Sequence, residues 1–239
     1  MNLKVLSYNI HKGRAFFSRN STWDLLHDLF FEVKPDIIFL QEFLHDPKSE
    51  LLLEKLADDL WPHHSFGQNA TMGDFHYGNA ILSRFPIQST LNYDISNHPL
   101  ERRGLLHARV QPFENFNLHL FCTHLDLTHV GRKIQLRKIK KTLKDITLES
   151  DPVLLAGDFN DWKNSLHPEI EKHLETKEAF YSLHGRLMPT SPSIYPVLAL
   201  DRVYFKGLEL KSGKILSNKL LQFKSDHLPI VTEFEVRNT

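Results

Sequence analysis

Carboxylates, amides and imidazoles recur at the ends of apolar segments that have strand character. The segment LLAGDFND, residues 154–161, ends in Asp158, Asn160 and Asp161. Across the chain the same residue types mark the ends or starts of such segments at Asn9, Glu42, His124, Asp158, Asn160, Asp201, Asp226 and His227. Each residue alone has a structural explanation, because turns and caps favour polar side chains. Together they favour one site, because sheets bring strand ends close in space.

These residue types also indicate a chemistry. Carboxylate and amide oxygens without a cysteine cluster suit Mg²⁺ or Mn²⁺, whereas zinc sites usually contain thiolates or closely spaced histidines. Carboxylates with two histidines match the needs of phosphate-ester hydrolysis, which requires a base for water and donors for the developing charge. The chain has no HExxH motif and no Gly-rich loop of the ATP-binding type, so we expect hydrolysis rather than transfer from ATP.

The spacing of apolar residues predicts the elements that position this site. Strands are expected at LKVLSYN, DIIFLQE, GNAILSRFPI, DPVLLAGDFN, LDRVYFKG and HLPIVTEFEV, and a hairpin at GLLHARVQPF and FNLHLFCTHLDL. Helices are expected at 21–34, at 47–60, at 131–146 and near PEIEKHL, with the rest of 162–198 mostly loop. In the third helix Ile134, Ile139, Leu143 and Ile146 form the predicted apolar stripe.

Helices that follow some strands and hairpins that join others predict an α/β (α+β) fold with mixed sheets. We expect a four-layered α/β-sandwich, in which two stacked mixed β-sheets are flanked by helices. The 239 residues contain no linker and no repeat, which predicts a single domain over residues 1–239.

The bulk composition limits the partners. Lys plus Arg and Asp plus Glu both number 29, so the zero net charge does not indicate a polyanionic partner. A local basic patch at 131–141 remains open, although a solvated helix face is the simpler interpretation. The one cysteine, Cys122, is expected to be a buried strand residue. No signal peptide and no membrane-spanning segment is evident, which predicts a cytoplasmic protein without an integral membrane segment.

The motifs SYNIHKG, PDIIFLQE, GNAILSRFPI, CTHLDL, LLAGDFND, LDRVYF and SDHLPI occur in this order. In order and spacing the chain resembles the endonuclease/exonuclease/phosphatase superfamily, which has the deoxyribonuclease-I-like fold, from Leu3 to about Phe234. The segments NIHKG and ERRGLLH are most similar to small bacterial members. The resemblance implies a phosphoesterase, but the superfamily includes nucleases, sphingomyelinases, inositol-phosphate phosphatases and deadenylases, so the substrate stays open.

The resemblance also implies roles for single residues. Glu42 would be the principal Mg²⁺ ligand, with Asn9 and Asp226 completing the metal site. Asp158 would deprotonate the attacking water, and Asn160 would hold that water or a phosphate oxygen. The two side chains are two positions apart, so they would point to the same side if the strand geometry continues to Asn160. His227 would stabilise the phosphate, with its tautomer set by Asp201.

Five further positions have weaker assignments. His124 would make a second phosphate contact, which favours the deoxyribonuclease-I and sphingomyelinase branches. Asn79 and Arg103 are candidates for substrate binding, and each is equally well explained as structural. Asp161 and Trp162 are interpreted as a turn and its packing.

We therefore expect a Mg²⁺-dependent phosphoric ester hydrolase, with Mn²⁺ as a second option, that acts as a nuclease-type phosphodiesterase. The alternatives are a phospholipid headgroup phosphodiesterase and a phosphomonoesterase. The partner is then a phosphate ester of nucleic acid or phospholipid, and no obligate protein partner is evident. A non-enzymatic scaffold is the competing class, but a scaffold needs none of these strand-end residues.

Overall fold

Two six-stranded mixed sheets stack face to face. The computed structural model describes residues 1–15, 21–47, 60–219 and 221–236. The first sheet has the order β11-β12-β1-β2-β4-β3, and the second has the order β5-β6-β7-β8-β10-β9. The strands of the first sheet are β1 (Asn2–Asn9), β2 (Ile37–His45), β3 (His63–Met72), β4 (Phe75–Ser83), β11 (Glu209–Ile215) and β12 (Ile230–Glu235). Those of the second are β5 (Ile87–Asp94), β6 (Gly104–Phe113), β7 (Phe116–His124), β8 (Val153–Asp158), β9 (Lys177–Glu178) and β10 (Asp201–Lys206).

Each sheet contains one parallel pair among antiparallel neighbours. Strands β1 and β2 are parallel, as are β7 and β8. Helix α1 (Trp23–Val33) connects the first pair, and helix α2 (His129–Ile146) connects the second. The short helices α3 (His167–Leu174) and α4 (Ala179–His184) follow β8. Parallel strands end on the same side of a sheet, so each pair delivers two strand ends to one edge.

Three apolar clusters hold the layers together. The inner faces of both sheets meet in a core that includes Phe39, Ile81, Leu120 and Leu154. Helix α1 packs on the outer face of the first sheet. Helices α2 and α3 cover the outer face of the second sheet. The resulting order of helix, sheet, sheet and helix confirms the four-layered sandwich that the sequence predicts.

The structure corrects several details of the predicted elements. The stripe of α2 contains Leu136, Ile139 and Leu143, whereas Ile134 is only partly buried and lies outside the cluster. Strands β3, β5 and β11 are absent from the prediction, because their sequences are rich in polar residues. In the structure these strands are largely exposed on one face. The helix expected at 47–60 lies almost entirely outside the described residues. The single domain over residues 1–239 stays a prediction.

Candidate active site

Asp158 lies at the centre of a row of strand ends in the second sheet. It is the last residue of β8, and the strand register pairs it with His124 of β7 on one side and Asp201 of β10 on the other. Gly157 precedes it with φ 150°, and a Cβ atom there would collide with the carbonyl oxygen of Thr123. Glycine is therefore required for β7 and β8 to come this close beside the carboxylate.

The buried carboxylate of Asp158 has polar contacts on both oxygens. Asn9 Nδ2 donates to Asp158 Oδ2 at 3.1 Å, which joins the end of β1 in the first sheet to β8 in the second. The same oxygen is 3.4 Å from His124 Nε2 and 3.6 Å from His227 Nε2. The backbone N–H of Asn160 donates to Oδ1 at 2.9 Å. These contacts hold one carboxylate oxygen between two imidazoles.

His227 is oriented by a second buried carboxylate. Its Nδ1 lies 2.7 Å from Asp201 Oδ2, and Thr190 Oγ1 donates to the same oxygen at 2.6 Å. The loop before β12 is held by the neighbouring strand β1, because Ser225 Oγ donates to the carbonyl of Asn9 at 2.7 Å and accepts from His227 N. The ring is thus fixed with Nε2 directed towards Asp158.

The electrostatics of this group follow from burial and charge. Burial raises the pKa of Asp158 to about 6, against the opposing effect of the His227 charge. Burial alone would lower the pKa of His227, but the carboxylates of Asp201 and Asp158 outweigh it and raise that pKa to about 10. Burial, Arg103 and His227 hold the pKa of His124 well below its usual value. The site therefore contains one cationic and one neutral imidazole at neutral pH.

Glu42 reaches the same edge from the first sheet through an irregularity in β2. The register with β4 shifts between Leu40 and Phe43, and Glu42 has φ 55° within this bulge. Its Oε2 is 3.0 Å from Lys12 Nζ, and that ammonium also lies over the Tyr77 ring, 5.7 Å from its centroid. Glu42 therefore already sits beside a cation.

A cleft of about 510 Å³ opens over these side chains. Its walls include Glu42, Asp158, Asn160, Asp226 and His227. Asp226 Oδ2 lies 4.0 Å from His227 Nε2, and Arg103 and His124 also line the cleft. The cleft thus brings together residues from both ends of the chain, such as Lys12 and His227, and from both sheets, such as Glu42 and Asp158.

Three predicted positions differ from their expected setting. Asn79 does not line the cleft, and its amide donates to the carbonyls of Gly104 and Cys122, so it bridges the two sheets. Strand geometry does not continue to Asn160, which has φ 48° and donates its side-chain amide to the Leu125 carbonyl. Trp162 lies in a turn, as expected, but its side chain is not packed, because it is exposed in the lining of the cleft.

Arg103 and Asp161 are held by neighbouring charges. Arg103 reaches the cleft while its Nη2 is 2.7 Å from Glu101 Oε1. Asp161 is fully buried and forms an ion pair with Arg202 at 3.2 Å, which ties the loop after β8 to β10. Asp161 therefore supports the loop, in agreement with its interpretation as a turn residue.

Sequence reasoning missed Lys12, Tyr77, Thr190 and Ser225 as members of this site. Lys12 belongs to the NIHKG turn and has φ 62°. The sequence feature that could have indicated its place in the site is its position between the end of β1 and a glycine. Thr190 lies in an uncharged loop and had no signal. Cys122 is buried as expected, and burial raises the pKa of its thiol.

The fold is the deoxyribonuclease-I-like α/β sandwich. The structure superposes on an endonuclease/exonuclease/phosphatase from Beutenbergia cavernae with a TM-score of 0.83 at 20% identity, covering 98% of this chain and 72% of that one. It also superposes on D. rerio TDP2 complexed with a single-strand DNA product, with a TM-score of 0.74 at 18% identity, covering 98% and 99%. These likenesses establish the fold.

The sequence comparisons establish the family. Residues 6–227 match the model of the Endonuclease/Exonuclease/phosphatase family. The chain is also 34% identical over 244 aligned positions to the uncharacterized protein YbhP of Escherichia coli K12, covering 98% of this chain and 96% of that protein. The chain belongs to the Endonuclease/Exonuclease/phosphatase family, and it is a metal-dependent phosphoric ester hydrolase. Within the described residues, no helix is both long and apolar enough to cross a membrane.

Proposed function

We propose that this enzyme is a Mg²⁺-dependent phosphodiesterase that uses Asp158 as the base and His227 as the phosphate ligand. The observation that supports this most is the contact between Asp158 Oδ2 and the two imidazoles of His124 and His227, at the floor of a cleft shared with Glu42 and Asp226. Burial of these charges carries a desolvation cost, and their convergence on a cleft is consistent with a use in catalysis.

The metal would be held by Glu42, Asp226 and Asn9. Their oxygens suit a hard cation, and the position of Lys12 Nζ at 3.0 Å from Glu42 supports a cation beside that carboxylate. Ligand atoms of Asp158, Asp201 and His227 also lie within 4.8 Å of one another. Both ring nitrogens of His227 face carboxylates, however, so this second group is better suited to proton transfer than to binding an ion.

A bound divalent ion would neutralise phosphate oxygens and make the phosphorus more electrophilic. Asp158 Oδ2 accepts the proton of the attacking water, while its Oδ1 stays fixed by the N–H of Asn160. His227 donates a hydrogen bond from Nε2–H to a phosphate oxygen, and Asp201 keeps Nδ1 protonated. As the water oxygen bonds to phosphorus, the bond from phosphorus to the ester oxygen breaks, and that oxygen leaves as an alcohol after it takes a proton from solvent. His124 supplies a second, neutral contact to the phosphate.

Nucleic acid and phospholipid remain the two substrate classes within this proposal. The D. rerio TDP2 complex with a single-strand DNA product supports nucleic acid by likeness of fold. Zero net charge argues against tight duplex binding, because affinity for DNA comes largely from neutralised phosphates. A phosphomonoester is the third option. We further propose a cytoplasmic location and no obligate protein partner.

The test uses bis-p-nitrophenyl phosphate with Mg²⁺ or Mn²⁺. Asp158→Asn and Glu42→Gln should each lower kcat/KM by at least about 10²-fold. Glu42→Gln should also abolish the rise in melting temperature that Mn²⁺ gives to the wild-type enzyme. Glu114→Gln, an exposed glutamate in the β6–β7 turn, is the matched control and should leave both quantities unchanged. Turnover that needs no metal, or that survives Asp158→Asn, would contradict the proposal.

A further inference from the structure

Exposed apolar side chains lie in the lining of the cleft and on the chain segments next to it. Three loops contribute to that lining, and they follow β7, follow β8 and precede β10. Five large apolar residues on these loops, and one in the first turn of α2, are between 45% and 77% exposed. We call them the apolar rim, and they are Leu127, Val130, Trp162, Ile194, Tyr195 and Val197. An exposed apolar group of this size beside a catalytic cleft is typical of a binding surface rather than of an ordinary protein exterior.

The apolar rim is continuous with the proposed catalytic site. Leu127 and Trp162 belong to the lining of the cleft itself. Pro192 and Leu198 also line the cleft, and they bracket the exposed residues 194–197. A ligand that covers the rim therefore also covers the entrance to Asp158 and His227.

Backbone hydrogen bonds hold the longest of these loops in place. Thr190 N donates to the Leu198 carbonyl at 2.8 Å, and Leu198 N donates to the Ser191 carbonyl at 2.8 Å. Ser193 Oγ contacts the carbonyls of Gln222 and Ser225 at 2.8 and 2.7 Å, which ties the loop to the segment before His227. The apolar side chains between these anchors are thus presented outward by a closed loop.

The charge pattern of the rim selects among partners. The segment LMPTSPSIYPVLAL, residues 187–200, contains no Asp, Glu, Lys, Arg or His. A nucleic-acid strand requires cationic side chains that follow its phosphates, but Lys12 and Arg103 lie inside the cleft and are paired with Glu42 and Glu101. On the rim itself, bases could use only the two aromatic rings. Four aliphatic residues would then have no partner. Trp and Tyr beside aliphatic residues are instead the combination that proteins place at membrane–water interfaces.

We infer that the apolar rim docks on the surface of a phospholipid bilayer, so that the cleft faces the head groups. The proposed docking depends only on the apolar rim and not on the proposed activity. Its consequence for the substrate, a phosphate ester in a lipid head group, rests on the proposed phosphodiesterase activity. The uncharged rim predicts binding through apolar insertion, which persists at high salt, rather than through attraction to anionic lipids.

Vesicle cosedimentation tests the docking without catalysis. The full chain is mixed in EDTA with phosphatidylcholine vesicles at 0.1 and 0.5 M NaCl. The triple variant Val130→Ser, Tyr195→Ser, Val197→Ser should bind at least about tenfold more weakly at both salt concentrations. The matched control changes three exposed apolar residues outside the rim, Phe31→Ser, Leu91→Ser and Leu148→Ser, and should bind like the wild type.

The fluorescence of Trp162 provides a second measurement. The chain has three tryptophans, and Trp61 is fully buried while Trp162 is exposed at the rim. Vesicles should shift the emission of the wild type to the blue, and Trp162→Phe should remove that shift while cosedimentation continues.

Two results would overturn the inference. The first is a wild-type chain that does not bind vesicles, or a rim variant that binds as well as the wild type. The second is a rim variant that keeps vesicle binding but loses affinity for a single-stranded oligonucleotide, which would make the rim a base-stacking surface.

The docking and the proposed function fail separately, because the binding measurements need neither metal nor turnover. Loss of docking with intact hydrolysis of bis-p-nitrophenyl phosphate contradicts only the docking. Docking without hydrolysis contradicts only the proposed function.

Discussion

Two buried histidine groups of this protein have similar residues and opposite electrostatics. In the cleft, His227 faces Asp201 at 2.7 Å and Asp158 at 3.6 Å. On the outer face of the second sheet, His107 Nε2 lies 3.1 Å from His119 Nδ1, and His119 Nε2 lies 3.5 Å from Asp151. The pKa of His227 rises to about 10, whereas that of His107 falls to about 4.

The neighbours explain the difference. Burial disfavours the charged imidazole in both groups, but two close carboxylates overcome that effect at His227. At His107, burial acts in the same direction as the nearby His119 and Arg109 charges. The ring of His107 also stacks on Phe121, with centroids 4.8 Å apart. The group formed by His107, His119 and Asp151 is therefore a packed part of the core, whereas the group around His227 retains charge at a cleft.

The sharpest difference between the two groups should be in catalysis. His227→Gln removes the proposed phosphate contact and should lower kcat/KM by about 10³-fold, or about 4 kcal/mol. His107→Leu should leave kcat/KM within about twofold, because its ring lies outside the cleft. Both are measured on bis-p-nitrophenyl phosphate at pH 7.5, with circular dichroism to verify folding. Equal losses of kcat/KM in the two variants would contradict a catalytic role for His227 that His107 lacks.

The second expected effect is on stability at acid pH. The pKa of His107 is lower in the folded protein, about 4 against 6.5, so its contribution is complete above pH 6.5 and is lost as the pH falls towards 4. The loss amounts to about 3 kcal/mol. In urea unfolding between pH 7 and 4.5, His107→Leu should therefore lose less stability than the wild type. His184→Gln, at an exposed histidine, should follow the wild type, and identical curves for His107→Leu and the wild type would refute this explanation.

The smallest expected effect concerns the outer carboxylate. Asp151 raises the pKa of His119 against the larger effect of burial, and it is partly exposed to solvent. Asp151→Asn keeps the acceptor for the Leu148 N–H and should change the free energy of unfolding at pH 7 by less than about 1 kcal/mol. Chemical denaturation measures this value. A loss of unfolding free energy above about 2 kcal/mol would contradict the expectation that this partly exposed carboxylate contributes less to its histidine than Asp201 does to His227.

The sequence predicted most of the fold, and it predicted candidate site residues at strand ends that the structure brings close together, because both depend on local patterns. Apolar strands that end in Asp158, Glu42 or Asn9 are visible without structure, and the confirmed sandwich follows from alternating helices and hairpins. The misses involve residues whose setting depends on distant segments. Thr190 contacts Asp201, and Ser225 contacts Asn9, across 216 positions in the second case.

Local conformation explains two further differences. Asn160 departs from strand geometry because its left-handed backbone lets both its N–H and its amide bond to neighbouring strand ends. A tryptophan is expected to pack in the core because of its large apolar side chain. In this turn, however, the neighbouring Asp161 is buried in an ion pair with Arg202, and the side chain of Trp162 is exposed. Neither outcome is visible in residue type or periodicity.

By itself the sequence determined the residue types, their places at strand ends and the family to which the chain belongs, because these depend on order along the chain. Only the tertiary structure decided which histidines share carboxylates, that Lys12 meets Glu42, and that Trp162 is exposed in the lining of the cleft. The physical reason is that charge and burial depend on distance in space. Two histidines of the same intrinsic pKa thus acquire opposite shifts in one fold.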